Sequence, residues 1–234
     1  MIHIFKYMKK NILSIILFLI FTTQSLSHVQ HYDNLNLLEY ELFRNGKSIG
    51  YHNYSFERKN DYLKVKSVIN FKITKLGVDL YKYNAVSEEE YKENQLIKFS
   101  SKTIQNKKNK NTEINFDEKK KELIITGSEN QLSSPKEHPV GTWWNHEIVQ
   151  AKAQISAISG RIIKQKVTFS GKEKIELYGK SFDALRFNFS SSDESLPDNK
   201  KLNTDVWYDE TTKLWLKASF NKSGYWEYKL KNID

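Results

Sequence analysis

The chain has no cysteine and only three prolines in 234 residues. Without cysteine there is no disulfide framework, no thiol nucleophile, no thiolate metal site and no lipid-modified cysteine. With proline confined to positions 135, 139 and 197, most of the chain is free to run in long uninterrupted elements. Arginine is scarce as well: Arg44, Arg58, Arg161 and Arg186 are the only four, against many lysines. Base readout and phosphate forks favour arginine, so nucleic acid is not an expected partner. One apolar run exists, Ile12 to Phe21, and at about half the ~20 residues of a bilayer-crossing helix it is too short for an anchor.

Position gives that run its meaning. Lys6, Lys9 and Lys10 precede it, and Thr22, Thr23, Gln24 and Ser25-Leu26-Ser27 follow it. A basic start, an apolar middle and small polar residues predict a cleaved secretory leader over residues 1–27, cut after Ser27. An uncleaved inner-membrane anchor is the weaker alternative. Met8-Lys9-Lys10 would open an equally good leader, so a start at Met1 or Met8 gives the same mature chain. Loss of three lysines lowers the formal charge from +9 to +6. The expectation is a periplasmic protein with a single domain over residues 28–234, a length sufficient for one core.

What the chain has in abundance is aromatic residues and alternation. There are 13 Tyr, 13 Phe and 5 Trp to fill a core that no disulfide supports. Leu63, Val65, Ser67, Ile69, Phe71 and Ile73 share one parity, with Lys64, Lys66, Asn70 and Lys72 on the other, the pattern of a long half-buried strand. Leu38, Tyr40 and Leu42 alternate in front of Asn45-Gly46, a pair that accepts positive φ and favours a tight hairpin. The next segment, Ile49 to Phe56, changes apolar parity, which predicts a bulge between Tyr51 and Tyr54.

The second half continues the pattern. Ile163, Val167 and Phe169 alternate, as do Ile175 with Leu177, and Leu185 with Phe187 and Phe189. Val206 to Tyr208, Leu214 to Phe220 and Tyr225 to Leu230 form a three-stranded meander. Short turns between successive strands imply antiparallel neighbours. Ten to thirteen strands exceed what one flat sheet holds without curling. The predicted fold is therefore an all-β antiparallel meander curved into a half-barrel or closed barrel, with a two-sheet sandwich as the alternative. Lysine clusters such as Lys107-Lys108-Asn109-Lys110 and Lys119-Lys120-Lys121 fit solvated hairpin tips, or attraction to an anionic membrane surface.

Pro135 and Pro139 interrupt this rhythm and bracket a loop. Beyond them, Thr142 as N-cap and the Gly- and Pro-free segment Trp143 to Lys152 predict one short helix near 142–152. Its sequence, "PVGTWWNHEIV", holds the candidate site residues Trp143, Trp144, Asn145 and His146. Adjacent helical positions point about 100° apart, so one indole can fill a core while the other lies at a mouth. The segment is either a plug for the barrel interior or a lid over an apolar chamber, with the indole N–H groups, Asn145 and His146 as polar tips.

Searches for a catalytic pattern fail. His146-Glu147 opens a zinc-protease HExxH pattern, but Gln150 stands where the second histidine must be. Ser133-Ser134-Pro135-Lys136 fits SxxK only on paper, since Pro135 interrupts the helical turn the motif needs. No GxSxG and no phosphate-binding glycine loop occurs. Glu88-Glu89-Glu90 alternates in facing along a strand, so its carboxylates do not converge and fit a solvated edge. No enzyme activity, cofactor or metal is expected.

The succession "YELFRNGKSIGYHNYSFER", "LGVDLYKYNAVSEEEY", "TWWNHEIV", "GKSFDALRFNF" and "DVWYDETTKLWLKASF" resembles an exported bacterial family known as domain of unknown function 6134. It is similar, more distantly, to domain of unknown function 3108. The resemblance covers nearly the whole mature chain and implies an exported antiparallel β domain shaped like the half-barrels of periplasmic lipoprotein carriers; it implies no activity. Two functions remain open: a non-enzymatic binding or carrier module for an apolar or amphiphilic molecule such as a lipid, and a structural or assembly factor contacting an envelope protein.

Overall fold

The computed structural model describes residue 32, residues 34 to 127 and residues 131 to 234. The expected leader over residues 1–27 and its expected cleavage site after Ser27 lie outside the described residues.

The chain builds one antiparallel sheet of 14 strands, curved but not closed. β1 (Leu37–Arg44) starts in the middle of it. From there β2 (Lys47–Lys59), β3 (Tyr62–Lys75), β4 (Val78–Lys92), β5 (Gln95–Gln105), β6 (Lys108–Asp117), β7 (Glu122–Gly127) and β8 (Gln131–Pro135) add outward as a meander. The other wing runs inward, from the edge strand β9 (Ala153–Ile155) through β10 (Ile162–Leu177), β11 (Lys180–Ser191), β12 (Asn203–Asp209) and β13 (Trp215–Asn221) to β14 (Tyr225–Ile233). β14 then pairs with β1, so the first and last strands join the two wings. The half-barrel form of the predicted all-β fold holds; among the described residues no sandwich of two sheets is formed. Both edges are short, and Pro135 ends one of them, which limits pairing with another chain.

Alternation decides which face is buried. Along β3, Leu63, Val65, Ser67 and Phe71 are buried and face the concave side, while Lys64 pairs with Glu88 across β4 on the convex side. The register shift in the β1–β2 hairpin falls at Ile49, between the pairs Leu42–Gly50 and Phe43–Ser48. The expected bulge between Tyr51 and Tyr54 is thus displaced towards the turn. Tyr51 belongs to the convex face and is exposed, while His52, Tyr54 and Phe56 face inward. Tyr51 is thus an aromatic residue on the solvent face, and the change of apolar parity after it does not mark a bulge.

The concave face is filled largely by aromatics. Tyr40 stacks on Trp215 with centroids 4.0 Å apart, and its hydroxyl donates to the Trp215 carbonyl at 2.7 Å. Such pairs contribute beyond the area they bury.

Candidate functional site

Residues 136–152 join the two edge strands by passing through the concave side. Val140 forms a parallel bridge with Ile155, held by Gly141 N–H to the Ile155 carbonyl at 2.9 Å and Ile155 N–H to the Pro139 carbonyl at 2.8 Å. At Gly141 a Cβ would stand 2.0 Å from the Gln154 side-chain oxygen, so a larger residue would have to displace the end of that side chain from its hydrogen bond with Gln165. The next residue but one, Trp143, sits at φ 56°, and Trp144 N–H closes a three-residue turn onto the Thr142 carbonyl at 2.7 Å. Left-handed backbone at a bulky residue costs about 1 kcal/mol or more. It also prevents a helix from starting at Thr142. The short helix is one 3-10 turn, His146–Val149, capped by Asn145, whose side-chain oxygen accepts from Glu147 N–H at 3.0 Å.

That turn throws the two indoles apart. Trp144 is fully buried and meets Tyr32, Phe56 and Tyr91 edge-on at 5.7, 5.5 and 5.7 Å. Its Nε1–H donates to Glu89 Oε1 at 2.9 Å, and the Tyr91 hydroxyl donates to Glu89 Oε2 at 2.5 Å. Glu89 is 1% exposed. Burial raises its carboxyl above the ordinary carboxylate range, opposed by the hydrogen bonds from Tyr91, Trp144 and Thr142. It is a buried anchor for the indole and faces neither of the cavities described below. The expectation of a solvated edge fails here. β4 is an interior strand, and Glu89 shares its inward parity with Tyr83, Ala85 and Tyr91.

Trp143 turns the other way. It lies edge-on to Trp215 at 5.5 Å and to Tyr228 at 5.7 Å and forms part of the wall of a second space. The inward rows of β2 to β5 explain why that space exists. The row Phe56, Val65, Glu89 and Phe99 is bulky and carries the Trp144 core. The next row is Tyr54, Ser67, Ser87 and Ser101, followed by His52, Ile69, Ala85 and Thr103. Serine, alanine and threonine on three neighbouring strands leave the concave side unfilled. Beyond them Phe71 and Tyr83 stack at 4.9 Å, with Trp226 edge-on to Phe71 at 5.3 Å, and of these three Tyr83 borders the chamber, which stays partly open to solvent.

The chamber has a volume of about 220 Å³. Its wall includes His52, Tyr54, Tyr83, Ala85, Trp143 and Tyr228. Two buried polar atoms on these residues, His52 Nδ1 and Trp143 Nε1, have no hydrogen-bond partner in the protein. The other ring nitrogen, His52 Nε2, meets Ser67 Oγ at 2.7 Å. Burial pushes the imidazole down to about 3, so it is neutral at physiological pH.

A larger groove of about 600 Å³ runs between the β4–β5 turn and residues 135–152. Asn94, Gln95, Lys136, Glu137, Glu147 and Lys152 make it a wet surface cleft. Size alone therefore does not choose the site. The four residues singled out from sequence are dispersed: Trp143 lines the chamber, Trp144 fills the core and Asn145 borders the groove. His146 is buried, edge-on to Tyr208 at 4.7 Å. In the sequence His52 reads only as one of several scattered histidines and Tyr83 and Tyr228 carry no signal of their own, because each of the three comes from a different strand. The period-two row of small residues was the available signal. Among the described residues, no three His, Asp or Glu side chains gather to hold a metal.

The model of the family described as domain of unknown function DUF6134 matches residues 40–231. The match supports the first of the two family resemblances and does not extend to domain of unknown function 3108. No curated protein matches the chain. Among solved structures, the chain is similar to a beta-barrel-like protein of domain of unknown function DUF1849 from Brucella abortus. The TM-score is 0.56 and the identity 10%, covering 85% of this chain and 96% of that one. At that identity the likeness is one of fold. A DUF1329 family protein from Desulfovibrio piger also aligns, at 9% identity over 88% of this chain and 89% of that one, with a TM-score of 0.20.

Proposed function

The chain belongs to the DUF6134 family, whose description carries no activity, and on that premise we propose a non-enzymatic binding module for a small apolar or amphiphilic molecule. The observation that carries this reading is the chamber. It is a half-open recess of about 220 Å³ on the concave side, walled by aromatic and small side chains and partly in contact with solvent. An apolar cavity of about 150 Å³ accepts a benzene ring. The chamber suits an aromatic ring with a short substituent or the end of an acyl chain. Its walls are mostly apolar, broken by the side chains of Ser67, Ser87 and Thr103, which bring hydroxyl groups to the wall.

In this reading the protein is exported, loses residues 1–27 and works in the periplasm; protein recovered from the envelope should begin at His28. Binding is tested by titrating the mature protein with medium-chain fatty acids and alkylphenols while following tryptophan emission, since Trp143 lies on the chamber wall. Saturable change in the wild type, lost in a chamber-filling Ala85→Leu variant that keeps all its tryptophans and its far-UV circular dichroism, supports the reading. A flat response to every apolar ligand would favour a purely structural role in the envelope.

A further inference from the structure

Four hairpin turns project from the chamber end of the sheet: residues 44–48, 72–82, 105–110 and 221–225. Their common direction follows from register, because Gly50 pairs with Phe71, Phe71 with Tyr83 and Tyr83 with Gln105, while Asn45 N–H reaches the Tyr225 carbonyl. Together these segments hold nine Lys or Arg residues and a single acid, Asp79. Four turns at the opposite end, residues 59–62, 92–95, 117–122 and 209–214, hold six Lys and seven Asp or Glu. The chamber end is therefore the more cationic, even though the β11–β12 connection, residues 191–203, lies at the same end and adds three acids to two lysines.

The cationic end also presents its longest hairpin with apolar side chains in water. Leu76 is 95% exposed, Val78 61% and Leu80 56%. Leu76 occupies the first position of the β3–β4 turn at φ 51°, followed by Gly77 at φ 77°. The equivalent position of the β1–β2 turn is Asn45, which tolerates that conformation and bonds Tyr225 N–H through its side chain. A leucine there is strained and makes no packing contact that would offset the strain within the chain. Lys72 and Lys75 flank it, and Lys82 pairs with Asp79 at 3.0 Å.

We propose that this end docks on an anionic phospholipid surface, with Leu76, Val78 and Leu80 entering the headgroup region and Lys72, Lys75 and the lysines of neighbouring turns held by lipid phosphates. An apolar tip ringed by lysine matches what an anionic interface offers, burial for the leucines and opposite charge for the amines. A polyanion such as nucleic acid would use the lysines and leave the leucines in water. Docking here does not depend on a ligand in the chamber, so either proposal can fail alone.

The test is co-sedimentation of the mature protein with vesicles of phosphatidylcholine alone and of phosphatidylcholine with phosphatidylglycerol at about 3:1. The protein should pellet with the anionic vesicles and be released as salt rises several-fold, as the Debye length shortens. Leu76→Ser/Leu80→Ser should reduce the apparent partition roughly tenfold, with far-UV circular dichroism and melting unchanged because both side chains are exposed. Lys72→Glu/Lys75→Glu should reduce it at least as much, at about five-fold per lysine lost. Equal sedimentation of wild type and leucine variant would overturn the proposal, as would failure to pellet with anionic vesicles. Equally tight binding to single-stranded DNA, insensitive to the leucines, would assign this end to a polyanion instead.

Discussion

Trp143 and Trp144 are neighbours in sequence and belong to opposite halves of the concave side. Trp144 stands among bulky rings with its indole N–H satisfied by Glu89; Trp143 stands against small residues with its indole N–H unpartnered. The difference is written less in the tryptophans than in the rows that face them. Val65, Glu89 and Phe99 fill the lower half, whereas Ser67, Ser87 and Ser101 leave the upper half open. A left-handed residue between Thr142 and Trp144 lets one loop serve both halves. The packed core and the chamber wall are thereby served by adjacent side chains.

The comparison breaks most directly by deletion. Trp144→Ala should cost about 3–5 kcal/mol in chemical denaturation, since it empties a packed site and strands the Glu89 carboxyl. Trp143→Ala should cost roughly half that or less, because its wall already adjoins open space. Glu89→Gln sharpens the point: the amide oxygen still accepts from Trp144 and its NH₂ faces Tyr91, so most of the stability should remain. Equal losses for the two tryptophans would erase the distinction between the halves.

His52 gives the upper half its own pH dependence. Its pKa in the folded state is about 3 against 6.5 unfolded, so the unfolded chain takes up the proton first as pH falls. The stability held above pH 6.5 should decline by about 2 kcal/mol between pH 7 and pH 5. Glu89, raised by burial, works in the opposite sense over the acid range, since a proton favours the folded state there. The difference between wild type and His52→Phe, measured by urea denaturation at several pH values, isolates the histidine. An identical pH slope in the two proteins would contradict its burial.

A smaller effect lies outside both halves. Asp209 Oδ1 accepts from Thr211 N–H, Thr212 N–H and the Thr212 hydroxyl at 3.0, 2.7 and 2.9 Å, stabilising the β12–β13 turn. Asp209→Ala should lower stability by roughly 1 kcal/mol and leave binding in the chamber unchanged. Lost binding with an unaltered melting curve would move the site to the other end.

Much of the fold is legible in the sequence, because strand parity and turn residues are local. Leu63 to Ile73 read directly as a strand, and the curvature follows from the number of strands. The site is less legible. Cross-strand rows assemble from residues far apart in the chain, so Ser67, Ser87 and Ser101 look unremarkable one at a time. A run of three glutamates looks like a solvated surface, and only the inward parity that Glu89 shares with Ala85 and Tyr91 says otherwise. The helix expected from Thr142 shrank to one 3-10 turn because the backbone at Trp143 is left-handed, a conformation that tryptophan seldom adopts and composition does not announce.

The chamber itself is tested most directly by filling it. Ala85 lies on its wall between Ile69 and Thr103, and Ala85→Leu would occupy much of the open space without touching the Trp144 core. Native mass spectrometry of wild type and Ala85→Leu, each incubated with a medium-chain fatty acid, should show a one-to-one adduct on the wild type alone. The variant should melt no lower than about 1–2 kcal/mol below the wild type. An adduct of equal abundance on both proteins, or on neither with any apolar ligand, would contradict the chamber as the binding site.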